Sequence, residues 1–177
     1  VHTAEQVGQA VEAARKAKIK NLSLDLIYGL PGQTQERWME NLAAAVALNP
    51  EHLSCYGLKV EEGTPLFAVK DTADLPGDEE QADMYLQTVE FLKQYGYAQY
   101  EISNFAKPGY ASRHNLKYWR LQEYAGFGPG AHSDFGGVRY AYEKDLEAYI
   151  AAAHGGQFQF SENAAIPARE RDAEWIM

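Results

Sequence analysis

Cysteine is nearly absent from the sequence, since Cys55 is the only one among 177 residues. A single thiol excludes an internal disulfide, and it also excludes a zinc or iron–sulfur site built from several thiolates of this chain. Clusters of lysine and arginine are missing too, and the formal net charge is -9. Because contacts to nucleic-acid phosphates need such clusters, the composition argues against a nucleic-acid-binding surface.

Long apolar runs are also lacking. No stretch reaches the roughly 20 residues that a membrane-spanning helix needs. The amino-terminal residues, VHTAEQVGQA, contain neither the charged start nor the apolar block of a signal peptide. We therefore expect a cytoplasmic protein without a transmembrane segment.

What is present is the composition of an ordinary globular chain, 46% hydrophobic and 23% charged, with enough length for one domain or slightly more. The two ends are unusual. Thr3 and Gln6 have the spacing of a capping box, which predicts a helix directly at the amino terminus. At the other end a predicted helix begins at Pro167 and stops on three large apolar residues, Trp175, Ile176 and Met177. We therefore expect a fragment of a longer protein.

The middle of the chain alternates predicted strands and helices. Strands are predicted at NLSLDLIYG, HLSCYGLKV and YAQYEISNFA. Between the first two, Thr34 caps a helix whose inward residues are Trp38, Leu42, Ala45 and Val46. The next helix ends at Gly96, and its buried face is predicted to hold Ala82, Tyr85, Leu86, Val89 and Leu92. Strands joined by helical crossovers predict parallel pairing, in an open doubly wound sheet or in part of a barrel.

Asp25 lies in the middle of the first predicted strand. Alternation places Leu22, Leu24 and Leu26 on one face of that strand and Ser23, Asp25 and Ile27 on the other. The third strand likewise sets Tyr100 and Ile102 against the polar residues Gln99, Glu101 and Ser103. A buried carboxylate costs several kcal/mol, roughly, unless it has a partner. Two partners stay open: a polar ligand in a barrel lumen, or a basic side chain on a neighbouring strand.

The loop GLPGQT closes the first strand. Gly29, Pro31 and Gly32 predict a tight turn at the carboxyl end of the strand, where barrels and open α/β sheets assemble ligand sites. The loop lacks the Gly-Lys-Ser/Thr of a phosphate-binding P-loop.

A second glycine-rich segment, GFGPGAHS, lies further along the chain. Pro129 interrupts it, and no long helix follows directly, so we give a dinucleotide-binding motif little weight. Gly126, Gly128 and Gly130 instead predict a close approach to the backbone, for example by a ligand. A strand pair is predicted around Gly136 and Gly137, followed by a helix over residues 143–153.

His114 is the most suggestive single residue, because a neutral imidazole can ligate haem iron. Tyr118 and Trp119 follow it closely and offer flat apolar faces to a porphyrin. A single histidine is more often a hydrogen-bonded surface or packing residue, and both interpretations stay open. The spacing of His2, His52 and His154 predicts no metal cluster.

Four separated motifs, DLIYGLPGQT, YEISNFA, HNLKYW and GAHS, occur in this order. In order and spacing they resemble the oxygen-independent coproporphyrinogen III oxidase-like family of radical S-adenosylmethionine proteins. HNLKYW resembles the HNxxYW signature of the haem-chaperone branch of that family, HemW. The resemblance covers nearly the whole chain.

The resemblance implies an α/β fold: the carboxyl-terminal part of a partial (βα)6 radical S-adenosylmethionine barrel, plus the start of a smaller α+β carboxyl-terminal region. The implied boundaries are residues 1–106 for the second half of the barrel and 107–177 for a truncated family-specific region. Loss of the first half of the barrel would expose strand edges and apolar lumen. We therefore expect an exposed edge or an unusual oligomer.

The resemblance also implies roles for particular residues. Asp25 matches an aspartate that contacts bound S-adenosylmethionine, and His114 matches the residue associated with haem binding. Gly128, Gly130 and His132 match a segment near the adenosylmethionine pocket of the oxidase branch. His132 replaces an apolar residue there, which leaves its role open.

One departure from the family is large. Radical S-adenosylmethionine chemistry uses a 4Fe-4S cluster held by a CxxxCxxC motif, whereas this chain has Cys55 alone. Cys55 is expected to be a small buried hydrophobe. The cluster ligands are therefore expected before Val1, and the chain alone is expected to be inactive as a radical enzyme.

The function that the resemblance implies is haem chaperoning, in which the protein binds haem and transfers it to acceptor proteins. The alternative is oxygen-independent oxidation of coproporphyrinogen III, the decarboxylation of two propionates to vinyl groups. A third possibility is a relative whose substrate is no tetrapyrrole. For the haem role, Asn115 is the expected residue to orient His114.

Overall fold

The computed structural model describes residues 2–174, apart from the side chains at 168 and 172. The predicted apolar end, Trp175 to Met177, lies outside these residues. The elements follow in the order α1 (Ala4–Lys16), β1 (Ser23–Tyr28), α2 (Gln35–Ala47), β2 (His52–Gly57), α3 (Pro65–Ala68), α4 (Asp78–Gln94), β3 (Ala98–Gln99), β4 (Asn104–Ala106), α5 (Asn115–Trp119), β5 (His132–Phe135), β6 (Val138–Tyr142), α6 (Leu146–Gly155), β7 (Phe160–Ala165) and α7 (Ala168–Glu174).

The chain divides into two compact units between Ala111 and Ser112. The first unit contains a four-stranded sheet in the order β1-β2-β4-β3, so that β1 and β3 are its edge strands. The second unit contains a three-stranded sheet in the order β5-β6-β7. Both neighbouring pairs in that second sheet are antiparallel, and β5 and β6 form the hairpin that Gly136 and Gly137 predicted.

The first two helices begin at caps that the sequence predicts. The Thr3 side chain and the Gln6 side chain form a complete capping box at the start of α1. The Thr34 hydroxyl accepts a hydrogen bond from the Arg37 backbone nitrogen and so starts α2. Each cap satisfies backbone N–H groups that have no partner within the helix.

The core of the first unit lies between one face of the sheet and the helices α2 and α4. Leu24, Leu26 and Tyr28 of β1 pack against this core from the sheet. The fully enclosed members include Trp38 and Leu42 from α2, Leu53 and Cys55 from β2, Met84 and Leu92 from α4, and Phe105 from β4. The inward face predicted for α2 and the strand positions of β1 and β2 are confirmed.

The third predicted strand is wrong as a single element. Residues 98–106 form two short strands, β3 and β4, which pair antiparallel with each other across a turn. The Glu101 carboxylate accepts a hydrogen bond from the Ser103 backbone nitrogen at 2.9 Å, a local contact that bends the chain. The prediction of all-parallel pairing is also wrong, because β4 pairs antiparallel with β2, whereas β1 and β2 are parallel.

The buried face predicted for α4 is wrong in its phase. The enclosed residues are Met84, Thr88 and Leu92, one helical turn apart, whereas Leu86 is 61% exposed and Ala82 is exposed. Thr88 makes this possible because its hydroxyl has buried partners on both sides. It accepts a hydrogen bond from Trp38 Nε1 at 2.8 Å and donates one to the Met84 carbonyl at 2.7 Å.

Replacing Thr88 with valine is expected to lower the free energy of unfolding by about 1–3 kcal/mol, because the buried Trp38 N–H then loses its acceptor. Urea unfolding measures the change. Thr72→Val, at an exposed threonine, serves as the control and is expected to stay within about 0.5 kcal/mol of the parent. Equal stability of the two variants would show that the indole hydrogen bond contributes nothing.

No helix among the described residues combines the length and the apolar character that crossing a membrane requires.

Candidate functional site

A row of three polar side chains crosses the sheet of the first unit. Asp25 of β1 pairs with Ser54 of β2, and Ser54 pairs with Asn104 of β4. Directly paired residues point to the same face of a sheet. Leu24 and Leu53, one position earlier on β1 and β2, belong to the core side. Asp25, Ser54 and Asn104, here called the polar row, therefore face away from the core and its helices.

Burial changes along the polar row. Ser54 and Asn104 are each 4% exposed, whereas Asp25 is exposed and Ile27 beside it is 48% exposed. The predicted phase of β1 is confirmed, but the expectation that Asp25 is buried is wrong. This end of the row is open, so its carboxylate does not bear the desolvation cost that the sequence suggested. Among the described residues no basic side chain forms an ion pair with Asp25, and that alternative also fails.

Asn104 occupies the enclosed end of the polar row. Its Oδ1 atom is buried and has no hydrogen-bond partner among the described residues. Asn104 was missed at the sequence level, because the predicted third strand gave no register against β2. The alternation of Asn104 with the core residue Phe105 was the available signal.

A buried histidine lies next to the polar row. His52, 5% exposed, pairs with Ser23 in the neighbouring strand. Its Nδ1 lies 2.7 Å from the Ser23 hydroxyl, and its Nε2 lies 2.8 Å from the Tyr100 hydroxyl. Burial lowers the pKa of His52, and the nearby carboxylates of Asp25 and Glu101 partly oppose this shift. His52 is therefore held neutral with both ring nitrogens hydrogen-bonded.

Acidification is expected to destabilise the first unit through His52. The folded pKa lies below the ordinary value of 6.5, so the unfolded chain binds the proton more readily. The stabilisation is complete above about pH 6.5 and is lost as pH falls through the lowered folded pKa, at about 1.4 kcal/mol per unit of pKa difference. Urea unfolding between about pH 7.5 and 5 measures this slope. His52→Gln should flatten it, and an unchanged slope in that variant would assign the pH dependence to other groups.

The loop at the end of β1 is a tight turn, as predicted. Gly29 and Gly32 have positive φ angles of 79° and 67°, which only glycine adopts readily. The Gln33 side chain fixes the turn, because its Oε1 accepts hydrogen bonds from the backbone nitrogens of Gly29, at 2.8 Å, and Leu30.

In the second unit, His114 lies immediately before the short helix α5. Its Nε2 is 2.7 Å from the Tyr118 hydroxyl, one helical turn later, and the two rings meet edge to face. His114 is exposed, and so are Tyr118 at 43% and Trp119 at 54%. Tyr118 also packs against Tyr124 with ring centroids 4.5 Å apart. An oriented imidazole and two aromatic side chains thus share one exposed surface.

Asn115 does not take the orienting role predicted for it. Its backbone nitrogen contacts the Ser112 hydroxyl at 3.3 Å, while Tyr118 holds the imidazole. The separation of four residues between His114 and Tyr118 was the signal for this contact, because such residues lie on the same face of a helix.

The glycine-rich segment is held by the protein's own groups. The Gly128 backbone nitrogen donates to the Tyr149 hydroxyl at 3.0 Å, and the Gly130 nitrogen donates to the Glu143 carbonyl. A β-carbon at Gly126 would lie 2.3 Å from the His132 carbonyl oxygen. The close approach that the glycines predicted is therefore made at Gly126 by the chain itself. His132 is exposed, with Nδ1 3.8 Å from a Glu162 carboxylate oxygen.

Cys55 does not fit an iron–sulfur cluster. The residue is 2% exposed, and burial raises the pKa of its thiol to about 12, so the thiolate that a cluster needs is disfavoured. The described part of the chain also contains no group of three or more histidine, cysteine or acidic side chains arranged to hold a metal ion. The expectation of a buried, unreactive cysteine is confirmed.

Comparison with known proteins identifies relatives over nearly the whole chain. The chain is 38% identical over 176 residues to a heme chaperone HemW of Bacillus subtilis, covering 98% of this chain and 46% of that protein. It is 40% identical over 154 residues to the mitochondrial radical S-adenosyl methionine domain-containing protein 1 of Danio rerio, covering 82% of this chain and 35% of the relative. No protein-family profile matches the chain.

A solved structure has the same fold. The radical SAM enzyme coproporphyrinogen III oxidase (HemN) from Escherichia coli superposes with a TM-score of 0.79 at 23% sequence identity. The match covers 99% of this chain and 44% of the HemN chain. The chain thus spans about half the length of the proteins that it matches.

The mixed α/β fold is of the class found in radical S-adenosylmethionine proteins of the coproporphyrinogen oxidase type. Within that class, the chain is homologous to the HemW haem chaperones, and the resemblance carried by the four sequence motifs is confirmed.

Proposed function

We propose that this chain is part of a haem chaperone, a protein that binds haem and transfers it to acceptor proteins. The observation that carries the proposal is the HNLKYW segment, which places an exposed, oriented His114 beside Tyr118 and Trp119. Homology to proteins named heme chaperone supports it over 98% of the chain.

The geometry around His114 suits coordination of haem iron. Histidines that ligate metals usually donate their other ring N–H to a neighbouring acceptor, which fixes the tautomer and the ring orientation. Tyr118 provides that acceptor for Nε2. Haem iron would then coordinate Nδ1, and the aromatic faces of Tyr118 and Trp119 would contact the porphyrin.

The polar row suits one part of S-adenosylmethionine. The cofactor carries an ammonium group and ribose hydroxyls, all of which are hydrogen-bond donors, and the Asp25 carboxylate faces the open end of the row. When bound to a reduced cluster, this cofactor supplies a radical in the family. This chain's contribution is to hold and orient the cofactor through Asp25. We propose that the ligands of the 4Fe-4S cluster lie outside these 177 residues, since Cys55 does not fit one.

We also propose the family's partial (βα)6 barrel for the region of residues 1–106, with 107–177 as the family-specific region, and a cytoplasmic location. The parallel pair β1 and β2, with helices on one face only, supports the barrel assignment. The roles of Gly128, Gly130 and His132 near adenosylmethionine remain part of the proposal.

Oxygen-independent coproporphyrinogen III oxidation is the second candidate. Its support is the shared fold with HemN, which concerns architecture rather than substrate. HNLKYW, the motif of the chaperone branch, places this reading second.

Titration of the purified protein with haem tests the proposal. Saturable binding of one haem per chain, seen as a shifted and narrowed absorbance band, is the expected result. Only gradual, non-saturating absorbance changes, as given by an unrelated acidic protein, would contradict it. In a parallel titration with S-adenosylmethionine, Asp25→Ala should weaken binding by about tenfold, the scale of one charge-assisted hydrogen bond.

A further inference from the structure

Asn104 carries a polar atom that the folded chain does not use. The residue is 4% exposed, and its Oδ1 is buried without a hydrogen-bond partner among the described residues. A buried acceptor without a partner is costly, and an apolar side chain of similar size would avoid that cost. Such groups in folded proteins call for a functional explanation.

The position of Asn104 shows where a partner would come from. Phe105, the next residue, enters the core, so Asn104 points to the opposite face of the sheet. There it continues the polar row from Ser54 to the exposed Asp25. Strands in a sheet are spaced by about 4.8 Å, so the row spans roughly 10 Å, which is within the length of a nucleoside carrying an amino-acid group.

We propose that Asn104 is a specificity-determining residue that accepts a hydrogen bond from an N–H or O–H group of the ligand held at Asp25. The inference rests on the proposed binding of S-adenosylmethionine to this face. The ligand enters at the open Asp25 end, and the Asn104 amide turns its oxygen toward the donor.

The chemistry of the row defines the class of ligand. Asp25 is a carboxylate, Asn104 offers a carbonyl oxygen, and the Ser54 hydroxyl between them can either donate or accept. Within the row, no cationic side chain is available to neutralise a phosphate. The row therefore selects a ligand rich in donors, with positive charge near Asp25, and disfavours nucleotides with phosphate groups.

Calorimetric titration with S-adenosylmethionine tests the inference. Asn104→Leu removes the acceptor at similar volume, and we expect it to weaken binding about tenfold. Asn104→Asp keeps an acceptor and should bind about as well as the parent. Asn41→Leu, at an exposed position on α2, is the matched control and should bind normally.

Thermal denaturation without ligand separates a binding role from a structural one. A leucine at position 104 should leave the midpoint unchanged or raise it, because no hydrogen bond of Oδ1 is lost. A lowered midpoint with unchanged affinity would overturn the inference in favour of a structural asparagine. Equal affinity of Asn104→Leu and the parent would overturn it as well.

A second ligand locates the donor. 5′-Methylthioadenosine keeps the ribose hydroxyls and lacks the amino-acid group. Weaker binding of both ligands to Asn104→Leu would assign the donor to the nucleoside, and weaker binding of S-adenosylmethionine alone would assign it to the ammonium group. If the parent protein binds neither ligand, the inference is wrong, and the haem titration decides separately whether the chaperone proposal also fails.

Discussion

Replacing His114 with alanine is expected to weaken haem binding by roughly 100-fold, which corresponds to about 2.7 kcal/mol. The imidazole is the proposed iron ligand, and neither Tyr118 nor Trp119 offers a nitrogen that would replace it. Haem titration followed by absorbance measures the change. The residual affinity would come from contacts between the porphyrin and the aromatic side chains.

Two further variants separate coordination from general damage to the surface. Tyr118→Phe removes the hydroxyl 2.7 Å from His114 Nε2, and an orienting partner of a metal ligand is worth about 10-fold or somewhat more. His154→Ala removes another exposed histidine of the same unit and should bind haem normally. Equal haem affinity of His114→Ala and His154→Ala would exclude His114 as the ligand.

Replacing Asp134 with alanine is expected to destabilise the second unit by about 3 kcal/mol. The Asp134 side chain is 5% exposed and joins two arginines. Its Oδ2 lies 3.0 Å from Arg139 Nε, and its Oδ1 lies 2.6 Å from Arg171 Nη2. Arg139 also forms a bidentate pair with Glu174 of α7. Removing the central carboxylate leaves two neighbouring cations without their shared partner and loosens the attachment of α7 to β6.

Urea unfolding, followed by a probe in the second unit such as tyrosine fluorescence, measures the loss. Asp134→Asn keeps the shape and one acceptor and should lie between the parent and the alanine variant. Glu147→Ala, at an exposed carboxylate in the first turn of α6, should change stability by only about 0.5 kcal/mol. If Asp134→Ala matched Glu147→Ala, the ion-pair network would be no more than a surface feature.

The sequence predicts elements well where local signals agree with packing. α2 is an example, because its cap at Thr34 and its inward residues both follow from spacing alone. The hairpin of β5 and β6 is another, because two consecutive glycines with positive φ angles form its turn. In each case the turn or cap chemistry and the burial pattern specify the same structure.

Residues 98–106 show where such prediction ends. Tyr100 and Ile102 have side chains typical of strands, yet they lie in a turn between β3 and β4. Pairing of β4 with β2 and the Glu101 contact to Ser103 outweigh that preference. The face of α4 was misjudged for a related reason. Its buried polar residue Thr88 bonds to Trp38, a partner 50 positions away that periodicity cannot include.

The candidate sites divide in the same way. Asp25 was found because a carboxylate stands out in an apolar strand, although its exposure was not foreseen. His52 and Asn104 gain their meaning only from strand register, which places them beside Ser23 and Ser54. Register between distant segments is a tertiary property, so no local pattern of residues reveals the polar row.

Anaerobic incubation of the cluster-reconstituted protein with coproporphyrinogen III, S-adenosylmethionine and a reductant is the most direct test of the haem-chaperone function. The products are separated by chromatography, and the same preparation is titrated with haem. We predict saturable haem binding that depends on His114 and no decarboxylated product. Conversion of coproporphyrinogen III to protoporphyrinogen IX without saturable haem binding would contradict the proposed function and establish the oxidase.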